Sequence, residues 1–255
     1  MQSESIETSA GIVFWKASSS DAYQPPDQRK GVAAPPVADV PDAKLPRVTL
    51  PDPQSLGGRQ VDLVKLIGER RTLRAYSNAA LSLDELGCLL WCTQGVAEYT
   101  EGERTLRTVP SAGARHAFET RLLVNNVTDL EPGLYQYCAL THELAGPGAD
   151  RGTVEDVISG FRNINLIASS AVTFIWVADA YRMTWKFGER GYRYLLLDAG
   201  HICQNLYLAA EALGCGACAV GSFDDEELNS ALGLDGVTRF VAYAGTVGRK
   251  EEGAA

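Results

Sequence analysis

Apolar positions along the chain repeat in two distinct ways from Val61 onward, with a helical spacing in some runs and a strand-like content in others. Val61, Leu63, Val64, Leu66 and Ile67 form an amphipathic stretch. Ser82-Leu-Asp-Glu85 reads as a capping box, in which serine and glutamate each satisfy the other's free backbone N–H. It predicts a helix with Leu86, Leu89 and Leu90 on one face and Gly95 at its end. Residues 119–124 and 133–137 read as strands joined by a polar turn, and residues 171–177 as a buried strand by their β-branched and aromatic content. Residues 192–213 predict a long helix, apolar nearly all round and stopped by Gly214. Such a helix belongs in a domain centre or a subunit interface. Residues 217–223 and 240–247 supply two more strands, with an acid-started helix over 224–232 between them. Helices and strands intermix without regular βαβ alternation, so the expected fold is α+β.

The first sixty residues break this pattern, because eight of the eleven prolines fall there. Proline removes a backbone donor and blocks long helices and central strands. Residues 1–58 are therefore expected to form an extended N-terminal arm, residues 59–250 the folded domain, and residues 251–255 a flexible tail.

Charge narrows the partners. A formal charge of -9 on 255 residues argues against a general binder of nucleic acid or anionic membrane. No run approaches the roughly 18 apolar residues of a membrane span. Met1-Gln2-Ser3-Glu4 shows neither the basic start nor the apolar stretch of a secretory signal, which points to the cytoplasm. The six cysteines are then expected to stay reduced. Cys215-Gly-Ala-Cys218 is a lone CxxC without a second ligand pair, and His116, His142 and His201 are dispersed, so no metal site is expected.

The densest chemistry lies in Arg70-Arg71-Thr72-Leu73-Arg74. Three guanidiniums this close repel one another unless an anion sits among them, and their donor forks match phosphate oxygens. In an acidic protein, one phosphate-bearing cofactor is a more economical reading than a nucleic-acid patch. Three segments of small residues read as cofactor loops: residues 108–114, residues 214–217 and residues 245–250, the last ending in Arg249-Lys250. A GxGxxG fingerprint and a Walker sequence are both absent. Asp198, His201 and Asn205 form a polar stripe on the long helix. It reads either as an acid–base relay or, preferably, as buried groups satisfying each other or a facing subunit.

Together these segments resemble the nitroreductase superfamily of FMN enzymes, in particular its SagB-type dehydrogenase branch. The matching pieces include Arg70–Arg74, Leu90-Trp-Cys-Thr-Gln-Gly95, Arg107-Thr-Val-Pro-Ser-Ala-Gly-Ala-Arg115, Pro132-Gly-Leu-Tyr135, Lys186-Phe-Gly-Glu-Arg-Gly-Tyr-Arg193, residues 198–206 and Gly221-Ser-Phe-Asp-Asp225. The resemblance covers about residues 60 to 249. It implies a central, mostly antiparallel sheet flanked by helices, in an intertwined homodimer with FMN in the interface.

The resemblance also assigns roles. Arg70 and Thr72, with Arg71 in the same motif, would take the phosphate, and Arg74 the pyrimidine edge of the flavin. Pro110, Ser111 and Ala112 would approach from the second subunit, and the backbone of Cys215 and Gly216 would face flavin N5. Arg249 would close on the phosphate; the alternative is a plain exposed cation near the chain end. The implied activity is hydride transfer through N5 in two half-reactions, with an azoline peptide as donor in the SagB branch. That branch uses a Lys-Tyr pair, whereas Lys186 is followed here by Phe187, which leaves Lys186 as the catalytic candidate. Two alternatives stand beside it: an NAD(P)H-dependent nitro or quinone reductase, and a flavin-binding silent partner in a peptide-modifying complex. The substrate is then a small molecule or a peptide.

Overall fold

Residues 172–178 are buried without interruption, because the strand they form is covered on both faces. This computed structural model describes residues 8–19, 24–53, 61–100 and 104–251. The expected arm–domain boundary, the start of the chain and residues 252–255 lie outside the described residues. In chain order, the proline-rich segment carries helix α1 (Ala10–Ala17) and strand β1 (Arg47–Thr49). Helices α2 (Leu63–Glu69) and α3 (Leu83–Gln94) lead to a small sheet of β2 (Val96–Thr100) and β3 (Arg104–Arg107). Strands β4 (Phe118–Val124), β5 (Gly133–Cys138) and β6 (Glu143–Ala145) precede α4 (Arg151–Ser159) and α5 (Ile164–Ser169). Then come β7 (Val172–Asp179), α6 (Ala180–Phe187), α7 (Arg190–Ala212), β8 (Cys215–Val220), α8 (Asp225–Ala231) and β9 (Arg239–Arg249).

The main sheet has seven strands in the order β1-β6-β5-β4-β7-β9-β8, all antiparallel. Alternate residues of β7 serve two cores. Phe174 and Trp176 pack with Leu86 and Leu90 of α3 and with Leu195, Ile202 and Leu206 of α7. Ile175 and Val177 pack with Val157 of α4, Ile167 of α5 and Leu228 of α8. A strand buried on both faces reads as a continuous apolar run rather than an alternating one. The capping box opens α3 as expected: Glu85 N–H donates to Ser82 Oγ at 3.2 Å, and Ser82 N–H to Glu85 Oε2 at 2.9 Å. No described helix is long and apolar enough to cross a membrane.

The proline-rich segment is more than extended chain. It contains the eight-residue α1 and the edge strand β1, with Pro25, Pro26, Pro35 and Pro36 confined to the stretch between them. A proline-containing segment reaches a sheet only at its edge, where a missing donor breaks no ladder. The end of α1 and the described residues between α1 and β1 lie across α6 and α7. Tyr181 Oη donates to Asp27 at 3.0 Å, Trp185 Nε1 donates to Val32 O at 2.9 Å, and the Arg193 guanidinium stacks 3.6 Å from the Trp15 ring centroid.

The same segment is tied to the sheet by a buried ion cluster. Arg182 of α6 is 1% exposed and pairs with Glu119 of β4, with Asp39 at 2.7 Å and with Asp179 at 3.3 Å. Asp39 also pairs with Arg239 of β9. Burial pushes the Glu119 carboxyl up, but Arg182 outweighs it and holds the group below the usual carboxylate range. Removing one partner of a buried pair leaves an uncompensated charge. Arg182→Met is therefore expected to destabilise the fold by about 3–5 kcal/mol at pH 7 in urea unfolding. In that variant burial, the largest influence on Glu119, is opposed only by Arg107 and the Asp39 N–H, so its folded pKa is expected to rise above the unfolded value and protonation to relieve the penalty. The difference from wild type should accordingly shrink when unfolding is repeated near pH 4.5, and Arg182→Met combined with Glu119→Gln should recover part of the loss at pH 7.

Candidate functional site

Arg70 caps the C-terminal end of α2, and the chain from there runs along the outer edge of β8. Leu73 N–H donates to Ala217 O at 2.9 Å, and Thr72 bridges Ala217 in parallel register. The Arg70 guanidinium lies over the Tyr207 ring of α7, 5.1 Å from its centroid. Tyr207 Oη is 3.1 Å from Thr72 Oγ1 and accepts from Ala219 N–H at 2.8 Å. Arg71 turns back onto its own chain, donating to Gly68 O at 2.8 Å and Arg70 O at 2.9 Å. Arg74 is exposed. Among the described residues no carboxylate forms a salt bridge with Arg70, Arg71 or Arg74. Three guanidiniums in one short segment without a carboxylate partner, the first of them over a tyrosine that meets a threonine hydroxyl, are suited to a phosphate. Tyr207 was not singled out from sequence; its only signal was a polar tip on an otherwise apolar helix.

A second cluster forms around the loop after β3. Ser111 Oγ donates to Asp198 Oδ2 at 2.6 Å, and Ala112 N–H to Asp198 Oδ1 at 3.2 Å. His116 N–H donates back to Ser111 Oγ at 2.9 Å. Between them the backbone turns through left-handed conformations at Gly113 (φ 58°), Ala114 (φ 52°) and His116 (φ 43°). Two of these carry side chains, a strained arrangement that persists only where neighbours hold it. Asp198 is the holder: it is 3% exposed, and burial raises its carboxyl against the opposing pull of Ser111. Burial likewise pushes the His116 imidazole down to about 3, so it is neutral at ordinary pH. Lys186, at the end of α6, donates from Nζ to Gly113 O at 3.3 Å. A Cβ on Gly113 would fall 2.8 Å from that nitrogen, so glycine is what lets the lysine approach. Pro110 is exposed at the start of the loop.

Asp198, His201 and Asn205 do not form a relay. Asp198 serves the loop, Asn205 Nδ2 donates to Cys92 O at 2.8 Å, and His201 faces outward. The polar groups are satisfied by separate partners and not by one another.

Cys215 and Gly216, expected in a loop, lie instead in β8, where they pair with Arg249 and Gly248. Both are buried, and a Cβ on Gly216 would collide with the Leu73 side chain. Small residues read as loop residues, but here they let Leu73 and a neighbouring strand approach closely. Exposed main chain resumes at Gly221 and Ser222, beyond the end of β8. Burial pushes the Cys215 thiol up to about 11 even with Arg249 beside it, so it stays protonated. All six cysteines are free, and no group of three or more potential metal ligands occurs among the described residues. Arg249 is not a loose terminal cation: its Nη2 reaches Glu85 Oε1 at 2.8 Å and Oε2 at 2.6 Å. The glutamate of the capping box thus has a second task.

The structure brings Arg70, Thr72 and Tyr207 together, and separately gathers Ser111, Ala112 and Lys186 around Asp198. It does not join the two groups within one chain. Asp198 and Tyr207 are nine residues apart on α7, which is about two and a half turns and about 13.5 Å of axis. Half a turn puts them on opposite faces.

Residues 67–249 match the model of the nitroreductase family. A nitroreductase homologue of Methanocaldococcus jannaschii is 33% identical over 173 residues, 68% of this chain and 85% of its own length. The trifolitoxin-processing protein TfxB of Rhizobium leguminosarum bv. trifolii is 30% identical over 179 residues, 67% of this chain and 48% of that protein. The chain thus spans only about half the length of TfxB. A nitroreductase homologue of Anabaena variabilis superposes with a TM-score of 0.66 at 28% identity, over 82% of this chain and 42% of that one. A nitroreductase homologue from Desulfovibrio desulfuricans, solved in complex with FMN, shares the fold with a TM-score of 0.55 at 17% identity, over 77% of this chain and 91% of its own. With its seven-stranded antiparallel sheet, central helix and family match over most of its length, this chain belongs to the nitroreductase family.

Proposed function

We propose that the protein is an FMN-dependent oxidoreductase that works as a homodimer, with each flavin held between a phosphate half-site of one protomer and a loop of the other. The observation that carries this reading is the placement of the two clusters on opposite faces of α7. A site that uses both must draw them from two copies. The uncovered apolar side chains agree: Leu63, Val64 and Ile67 of α2 and Leu196 and Leu197 of α7 are 54–80% exposed in the single chain. A two-fold pairing would cover them.

When bound, the flavin supplies reversible hydride acceptance at N5. The chain's residues do the rest. Arg70 and Thr72 bind the phosphate, with Tyr207 bracing both. Arg74 offers a cation to the flavin's pyrimidine edge, where reduction places negative charge. Asp198 pre-organises the Ser111–Ala112 turn, and Lys186 offers an amine at the same loop. Arg249 is committed to Glu85, which supports a role in fixing the α3–β9 junction rather than in reaching the phosphate.

Two readings of the substrate remain, each with its own support. The likeness to a trifolitoxin-processing protein favours a SagB-type oxidation in peptide modification. Phe187 in place of a tyrosine favours a nicotinamide-driven nitro or quinone reductase. Adding NADPH anaerobically to the FMN-loaded protein separates them: bleaching of the flavin bands identifies the reductase, and persistence sends the search to peptide donors.

The purified protein, reconstituted with FMN, is expected to show flavin absorbance, and protein without flavin bands after reconstitution sinks the reading. Arg70→Ala removes a charge-assisted contact of about 1.5–3 kcal/mol, so FMN should bind about ten- to a hundredfold more weakly in a fluorescence titration. Light scattering after gel filtration should give twice 27.4 kDa. Leu197→Glu should shift the protein toward monomer and lower its flavin content together; loss of one without the other contradicts a shared site.

A further inference from the structure

The described residues 24–46 form a strap that precedes the stretch matched by the family, and this strap and the end of α1 are pinned at intervals to the corner where α6 meets α7. Tyr181 and Trp185 hold it at Asp27 and Val32, as described above. Arg190 Nη1 donates to Ser18 O at 3.1 Å, and Arg193 Nη2 donates to Trp15 O at 2.7 Å. These directional bonds keep the strap standing off the corner. Beneath it lies a cavity of about 300 Å³, walled by Pro26, Gln28 and Arg29 of the strap and by Lys186, Phe187 and Arg190 of the corner. That volume is at the lower end of small-molecule sites.

The wall chemistry is lopsided. Arg29, Lys186 and Arg190 contribute cations, and Glu189 is the one carboxylate among the lining residues. Arg29, Lys186 and Arg190 all interact with neighbours already, but an ammonium has three donors and a guanidinium five, so Lys186 and Arg190 keep donors for a ligand. Pro26 and Phe187 add apolar surface of the kind that receives a flat ring. Lys186 links this space to the loop: it lines the cavity, and its Nζ bonds Gly113 O.

We propose that the strap-roofed cavity is a binding pocket for an aromatic carboxylate, and that the strap thereby selects which compound reaches Lys186. The second half rests on the reading of Lys186 as the residue that faces substrate; the pocket itself does not.

Isothermal titration of the full-length protein with 4-nitrobenzoate and with its neutral counterpart 4-nitrobenzamide tests this. The carboxylate is expected to bind at least tenfold more tightly than the amide. Arg29→Gln, a change at an exposed position, should reduce that discrimination at least threefold without altering flavin content. Trp15→Ala lies outside the cavity wall and loosens the strap, so it should weaken both ligands at least fivefold. Equal affinities, no binding of 4-nitrobenzoate, or discrimination undiminished in Arg29→Gln overturns the pocket. Unchanged affinities in Trp15→Ala overturn the strap's part. A protein that takes up no flavin on reconstitution yet still discriminates the two ligands supports the pocket while refuting the flavin reading, which keeps the two failures distinct.

Discussion

Everything in this fold is arranged around the angular repeat of one helix. At 3.6 residues per turn, α7 cannot aim two functional groups nine positions apart in the same direction. Leu195, Ile202 and Leu206 take the side that meets the sheet. Asp198 and Tyr207 are left on two others, one serving the strained loop and one the arginine segment. Leu196 and Leu197 point where the single chain offers no cover. The helix is thus a poor element for a monomeric site and a good one for two equivalent sites related by a two-fold axis.

How much of this was legible in the sequence depended on length and on burial. Residues 171–177 announced β7 because a strand covered on both faces has no polar alternation to obscure it. The capping box announced α3 because its two hydrogen bonds are local. By contrast, β1 and β6 are three residues each, too short for any period, and they exist because Val48 sits opposite Leu144 across nearly a hundred residues of chain. Among the described residues of the first sixty, the one strand is β1, at the sheet's edge, where prolines nearby are tolerated. The prolines said nothing about a helix before Pro25 or an edge strand after Pro36, since proline constrains its own surroundings only.

The candidate site was legible where charge was concentrated and illegible where a partner was distant. Arg70–Arg74 stood out because like charges in a row demand an explanation. Tyr207 did not, since an isolated tyrosine on a helix is usually core. Asp198 was visible as a polar residue on an apolar helix, but its partners, Ser111 and Ala112, are more than eighty positions away. The small residues at 215–217 misled in the opposite direction. They resemble a ligand loop because glycine and alanine permit close approach, and the close approach turned out to be made by Leu73 and β9.

Phe187 shows how a single departure from a family pattern alters several links at once. Its ring packs edge-on against Tyr194, with centroids 4.8 Å apart, and forms part of the cavity wall under the strap. A phenol in its place would add a proton donor to that wall; the phenyl ring adds only surface. The partner of Lys186 is a neutral carbonyl, that of Gly113, and no carboxylate pairs with it among the described residues. The amine is held at the loop by that carbonyl and lies 5.7 Å from the centroid of the Phe187 ring, so the residue at position 187 affects where the amine sits as well as what the wall presents.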